Sequence, residues 1–372
     1  MRRVTQADIA KELGLSPSTV GLVVGNSDSP LRRYLNKDTV RRIEEKAREL
    51  GYKPNVAAQI MRRGRTNVIV FLNMGGLAQW VHRQAYEIGQ LVHEMGYDYQ
   101  VIDAYWWVSK GDQIIDQIIA SRPEGVVLSG SPQTEMDFSR FRDAGIPLVS
   151  IDYEIPGISW VRHDVRSAIS TLVSSSLAAG RVNPALVIIK RSSVTWQQRE
   201  RRLGFLDALA AFGWSKPSDV DLSNLKRTRL RSGSALVVND NSPTIHFDPF
   251  RPGHAVAERL STSVDALFCA NDDYATGALT HYLRTGVKVP DQVALSGFDN
   301  LFHTTEGVVP ITTVEFRTEK MCQAAMKLLV SQIGGEASNA EELVFPCDII
   351  WRESMPAPSV EKVRSPRDKV IP

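Results

Sequence analysis

The chain has 372 residues, of which 43% are hydrophobic, 23% charged and 8% aromatic; this is the composition of folded globular domains and excludes a disordered or collagen-like chain. Its 44 basic and 42 acidic residues nearly cancel, yet residues 1–66 hold 14 Lys/Arg against 7 Asp/Glu, while the remainder is mildly acidic. A small basic head on an acidic body points to a polyanionic partner for the head. Cys269, Cys322 and Cys347 are scattered without a CxxC pair, which excludes a disulfide framework or zinc cluster. The histidines show neither i,i+4 nor HExxH spacing, so no metal site and no cofactor are expected. No apolar run is long enough to span a bilayer, and Met1-Arg-Arg-Val-Thr-Gln-Ala-Asp lacks the apolar core of a signal peptide; a reduced, cytoplasmic setting is expected.

Residues 1–51 read as three short helices. Thr5 is an N-cap with Asp8 at N3, Val4 and Ile9 occupy staple positions, Ile9, Ala10 and Leu13 form an apolar face, and Gly14 ends the helix. Ser16 caps the second helix with Pro17 at N1, and Gly25-Asn26 closes it. Asn36 opens the third, in which Val40, Ile43, Ala47 and Leu50 recur at helical spacing before Gly51. Two short helices around a tight turn, supported by a third, form a helix-turn-helix pattern. Residues 52–66 combine a Pro, two helical turns of small and apolar residues, and Arg-Arg-Gly-Arg, and are expected to be a hinge or linker that orders on DNA.

Residues 67–355 then change pattern. Apolar runs at Asn67–Leu72, Val101-Ile102, Gly125–Leu128 and Leu148–Ile151 alternate with helical stretches, and a second series follows at Ala185–Ile189, Ala235–Val238, Ala266–Phe268 and Val293–Leu295. This predicts an α/β core of two doubly wound parallel sheets in two similar subdomains. The Pro-rich, charged tail, residues 356–372, is expected to be disordered.

Residues Val4–Val20, Glu49-Leu-Gly-Tyr-Lys-Pro-Asn, Arg62-Arg-Gly-Arg-Thr-Asn, Arg201-Arg-Leu-Gly-Phe, Cys269-Ala-Asn-Asp, Gly297-Phe-Asp and Pro310-Ile-Thr-Thr-Val resemble, in order, the LacI/GalR family of bacterial repressors. The resemblance covers residues 4–355. It implies an all-α helix-turn-helix head, a hinge helix and a periplasmic-binding-protein-like core, acting as a homodimer on pseudo-palindromic double-stranded operator DNA.

By that resemblance Pro17, Ser18 and Leu22 occupy base-reading positions. Ser18 bonds several bases without selectivity, whereas an apolar Leu22 suits a thymine methyl; packing in the head's core is the other reading of Leu22. Thr5, Ser16, Thr19 and Asn36 are candidate phosphate ligands as well as caps. Gly21 departs from the usual Ser and removes one such contact. Arg32-Arg33, in an extended loop after the second helix, either clamp the DNA backbone or are solvated charges. Met61 stands at the hinge's minor-groove wedge position, flanked by Asn55 and Arg62.

In the core, ligands of doubly wound sheets bind beyond the strands' carboxyl ends. Asn73, Ser131, Asp152, Asn271 and Asp299 follow expected strands. The resemblance adds Arg201 as an effector-reaching residue and Trp80 as an aromatic cover. Asp272 is a further candidate or a helix cap. An aromatic face with Asp, Asn and Arg is chemistry suited to carbohydrate, so the expected effector is a small polar molecule of sugar type. The first strand's loop, Asn73–Trp80, and the tandem Tyr105-Trp106-Trp107 depart from the family and either reshape the pocket or join the subdomains. The whole reads as an effector-controlled transcriptional repressor rather than an enzyme, since no nucleophile elbow, P-loop or GxGxxG is present. The alternative is a solute-binding protein of a transport system, which the basic head disfavours.

Overall fold

A computed structural model of the chain describes residues 4–25, 30–53, 65–76, 78–105, 110–132, 135–190, 195–225, 232–240, 248–260, 263–336, 339–355 and 357. Asn55, Met61 and Arg62, Trp106 and Trp107, and the tail from 358 lie outside these residues. The chain divides into two compact units, a head within residues 1–67 and a core formed by nearly all the rest.

In the head, α1 (Gln6–Leu13) begins with a complete capping box: Asp8 N donates to Thr5 Oγ1, and Thr5 N donates to Asp8 Oδ2 at 2.8 Å. Gly14 ends it at φ +66, a left-handed position that costs glycine nothing. The second helix was expected to be α-helical to Gly25. Instead only α2 (Pro17–Val20) is α-helical, and Gly21–Gly25 widens into a π-turn. The change begins at buried Gly21, where an added Cβ would stand 3.1 Å from Gln6 Oε1. A 3₁₀ turn (Pro30–Tyr34) leads to α3 (Lys37–Glu49), capped by Asn36 Oδ1 on the Asp38 amide. Ile9, Ala10, Val20, Val23, Ile43 and Ala47 form the head's buried cluster.

The core opens with β1 (Val68–Asn73), α4 (Gln79–Glu94), β2 (Asp98–Asp103), α5 (Gly111–Ser121), β3 (Gly125–Ser129), α6 (Ser139–Asp143), β4 (Leu148–Ile151) and β5 (Ser159–Asp164). The second half follows: α7 (Val165–Ala178), β6 (Pro184–Ile189), α8 (Trp196–Ala211), β7 (Ser218–Asp221), β8 (Leu236–Asp240), α9 (Arg251–Leu260), β9 (Ala266–Phe268), α10 (Asp272–Thr285), β10 (Ala294–Ser296) and β11 (Thr313–Glu315). The chain then passes to α11 (Thr318–Ile333), β12 (Glu342–Pro346) and β13 (Asp348–Ile350).

The first sheet runs β12-β5-β4-β3-β1-β2 and the second β10-β9-β6-β8-β7, both all-parallel, with β11 and β13 pairing antiparallel. Buried apolar clusters cover both faces of each sheet, as parallel sheets require. The two halves are not simply consecutive in sequence. Met321, Cys322, Ala325, Met326 and Leu329 of α11 join the cluster of Ile69, Phe71, Val127 and Val149 in the first half, and β12 adds a strand to the first sheet. The chain therefore crosses between halves three times, after β5, before α11 and after β12. In the first sheet the strand order reverses between β1 and β3, in the second between β6 and β9. These reversals open crevices at the carboxyl ends of those strands.

Candidate functional site

A cleft of about 180 Å³ lies where the loops from both crevices meet. From the first half come the backbone after β1 (Met74, Gly75), Trp80 of α4, Ser131 after β3 and Asp152 after β4; from the second come Ile189 at the end of β6, Arg201 of α8, Ala270 and Asn271 after β9, and Asp299 after β10. Six of the seven expected effector residues thus line one cavity: Trp80, Ser131, Asp152, Arg201, Asn271 and Asp299.

Asn73 is the exception. Its Oδ1 accepts from Gly75 N at 2.9 Å and its Nδ2 donates to Gly76 O at 3.0 Å, so this buried side chain shapes the β1 loop rather than facing the cleft. The loop needs that shape because Gly130 approaches it closely: a Cβ on Gly130, at φ +86, would stand 2.6 Å from Gly75 N. Arg201 is not at a strand end. It sits in the second turn of α8, 5% exposed, with its guanidinium 3.8 Å from the centre of the Phe298 ring. Its Nη1 donates to the Ala270 carbonyl, and its Nη2 stands 3.9 Å from Asp299 Oδ1.

Burial pushes the Asp299 carboxyl well above the usual carboxylate range, against the opposing pull of Arg201. The same burial lowers the Arg201 pKa, with Asp299 opposing. Asp152 lines the cleft but is committed: its Oδ1 accepts from His163 N at 2.9 Å and its Oδ2 lies 2.8 Å from His163 Nδ1. Its carbonyl accepts from Gln197 Nε2 across the cleft. Asn271 both lines the cleft and caps α10, accepting from Tyr274 N at 2.9 Å. Asp272, offered by the sequence as the cap, is instead fully buried behind it.

Sequence reasoning missed His163, stacked on Phe316 at 4.2 Å, and the lining residues Gln197, Gln198 and Phe316, whereas Tyr105, the first residue of the aromatic run after β2, does line the cleft. A lone His or Gln carries no spacing signal; only the three-dimensional crossing of the halves assembles them. Among the described residues no group of His, Cys, Asp and Glu is placed to hold a metal, and no helix is long and apolar enough to cross a membrane.

In the head, Thr5, Ser16, Pro17, Ser18 and Asn36 are exposed, and Thr19 is half-buried. Ser16 Oγ accepts from Thr19 N at 3.1 Å and lies 2.8 Å from both Ser18 Oγ and Thr19 Oγ1, a small hydroxyl cluster at the start of α2. Leu22 is half-buried and, among the described residues, outside the head's apolar cluster. Arg32 pairs with Glu44 at 2.5 Å, and Arg33 lies over the exposed Tyr34 ring.

Two sequence-family models match the core. One, described as a periplasmic binding protein-like domain, spans residues 173–355; the other, periplasmic binding proteins and sugar binding domain of the LacI family, spans 84–246. The chain is 25% identical over 355 residues to the HTH-type transcriptional regulator GntR of Pseudomonas aeruginosa, covering 95% of this chain and 96% of that one. Among solved structures it is similar to the lac repressor dimer bound to operator and the anti-inducer ONPF (TM-score 0.72, 20% identity, 96% of this chain and 100% of that one). It is also similar to a complex of the transcriptional regulator CelR with cellobiose (TM-score 0.63, 22% identity, 95% and 100%).

Proposed function

The chain belongs to the LacI family of helix-turn-helix transcriptional regulators, and from that premise we propose that it is a cytoplasmic repressor whose hold on operator DNA is set by a small carbohydrate in its cleft. The observation that carries this reading is the convergence of Trp80, Ser131, Arg201, Asn271 and Asp299 on one cavity at two strand-order reversals. An indole face suits the C–H face of a sugar, while Arg donors and Asp or Asn acceptors pair its hydroxyls. In this reading the protein works as a homodimer on a pseudo-palindromic operator. Ser18 and Leu22 reach base edges, Thr5, Ser16, Thr19 and Asn36 hold phosphates, and Met61 wedges into the minor groove between Asn55 and Arg62.

The effector acts by preferring one arrangement of the two core halves, and that preference is its entire leverage on DNA affinity. The test is a thermal-shift screen of the full chain with sugars, sugar acids and purines, because a ligand of the native state raises the melting temperature. A carbohydrate that raises it and also changes the affinity for a library-selected operator supports the reading. A purine hit alone overturns the effector class.

A further inference from the structure

Asp299 enters the cleft on an unusual piece of backbone. Asp299 has φ +105 and Asn300 φ +49, two successive non-glycine residues in conformations that L-residues rarely adopt. Such a turn persists only where its surroundings over-determine it. The surroundings here centre on a side chain that the effector chemistry does not use. Asp272, with no exposed surface, accepts from the Leu301 amide through Oδ2 and from Thr313 Oγ1 through Oδ1, both at 2.6 Å. Its own amide donates to the Phe298 carbonyl at 2.9 Å. Thr313 Oγ1 in turn accepts from the Asn300 amide at 3.2 Å, and the Asp299 amide donates to Val314 O at 2.9 Å.

The turn is thus gripped on both sides, at 298 and 301 by Asp272 and at 299 and 300 by β11. The close fit extends to Gly297, where an added Cβ would stand 2.0 Å from Asp272 Oδ1. Arg352 closes the far side, its Nη2 donating to Asn300 Oδ1 at 2.6 Å. A buried carboxyl with two donors aimed at it, placed against a strained turn, has a clear mechanical role. We propose that Asp272 and Thr313 are positioning residues, which hold the Asp299–Asn300 turn so that the Asp299 carboxyl is presented to the effector. The assignment rests on the cleft being the effector site. It makes affinity for the effector depend on two side chains that do not line the cleft.

The test uses the full chain with two nearly isosteric variants, Asp272→Asn and Thr313→Val. Hydrogen exchange reports on the turn without any ligand. Amides of residues 298–305 are expected to exchange about tenfold faster in both variants, while those of β9 and α10 keep their wild-type rates. A merely structural role would raise exchange throughout the second half of the core; that result, or no change in 298–305, overturns the proposal. Isothermal titration with cellobiose, D-glucose and D-glucuronate forms the second arm. A sugar that binds the wild type is expected to bind each variant about tenfold more weakly. Local loosening with undiminished affinity also overturns the proposal. If the wild type binds none of the three while exchange rises locally, the carbohydrate reading falls and the positioning of Asp299 stands.

Discussion

The Arg201 guanidinium faces the Asp299 carboxyl across 3.9 Å, beyond hydrogen-bond reach, while its flat side lies 3.8 Å from the centre of the Phe298 ring. Stacking fixes the plane of the fork, so its unspent donors point in set directions; its Nε has no hydrogen-bond partner among the described residues. A ligand that supplies an acceptor to Arg201 and a donor to Asp299 completes both groups at once. Asp299→Ala should therefore abolish the effector response and leave operator affinity unchanged. Arg201→Lys keeps the charge but loses the stacked fork, and should weaken effector binding by about 1–3 kcal/mol. Isothermal titration with the screen's hit reads both; unaltered affinity in the two variants would show that the ligand lies elsewhere.

His163 and Asp152 make a second buried pair that the sequence did not advertise. The imidazole donates from Nδ1 to Asp152 Oδ2 and stacks on Phe316, just before the chain first crosses between the halves. His163→Phe preserves a ring against Phe316 but removes that donor, leaving the Asp152 carboxyl with the His163 backbone amide. The expected cost is about 1–3 kcal/mol of core stability, measured by urea denaturation against the wild type.

Much of the fold was legible because it rests on local signals. The Thr5, Ser16 and Asn36 caps and the stop at Gly14 follow from short-range hydrogen bonding and glycine's tolerance of positive φ. Runs such as Val68–Asn73 announce buried strands by their apolar character alone. By contrast β5, with the sequence Ser-Trp-Val-Arg-His-Asp, carries polar residues and lacks that signal, while β12, Glu-Leu-Val-Phe-Pro, has a short apolar run but is largely exposed and joins the first sheet only through a distant return of the chain. The return of α11 to the first sheet is equally silent, because an amphipathic helix declares a buried face and not the partner it is buried against. Within the site, Ser131, Asp152, Asn271 and Asp299 followed from their places after expected strands, whereas Trp80 and Arg201 came from resemblance to known sequences. The Asp152–His163 pair and the grip of Asp272 on the Asp299 turn depend on long-range contacts that no spacing encodes.

The buried carboxyl of Asp272 gives the core a pH dependence of definite sign. Burial raises its pKa to about 7, against opposing hydrogen bonds from Thr313 and Leu301. A carboxyl raised in the folded state binds its proton more tightly there than in the unfolded chain. Folding is therefore favoured below the unfolded value, and stability is lost as pH climbs from about 4 towards 7. Asp299, raised by burial as well, adds a slope of the same sign. The loss through Asp272 is on the order of 1 kcal/mol per pH unit across that window. Urea denaturation of the wild type and Asp272→Asn at pH 5, 6 and 7 checks this. The variant should lose less stability over the range, and parallel curves would remove Asp272 as the cause.

The head offers the most direct separation of affinity from specificity. Leu22 follows the hydroxyl cluster of Ser16, Ser18 and Thr19 along the second helix and, among the described residues, stays outside the cluster of Ile9, Val20 and Ile43. Its substitution should therefore alter DNA reading without unfolding the head. An apolar tip rewards a thymine methyl, whereas a guanidinium pairs with the O6 and N7 of guanine. Leu22→Arg should thus shift one position of each half-site from A·T towards G·C, by about 1–3 kcal/mol. Sites selected from a random library by wild type and variant test this, and identical preferences would return Leu22 to a packing role. Phosphate contacts behave differently, because they release counterions whatever the sequence. The logarithm of affinity should fall linearly with the logarithm of salt concentration, and Leu22→Arg should steepen that slope only if the new cation lands on a phosphate rather than on a base. Measured together, selection and salt slope decide whether position 22 reads the groove or merely lies beside it.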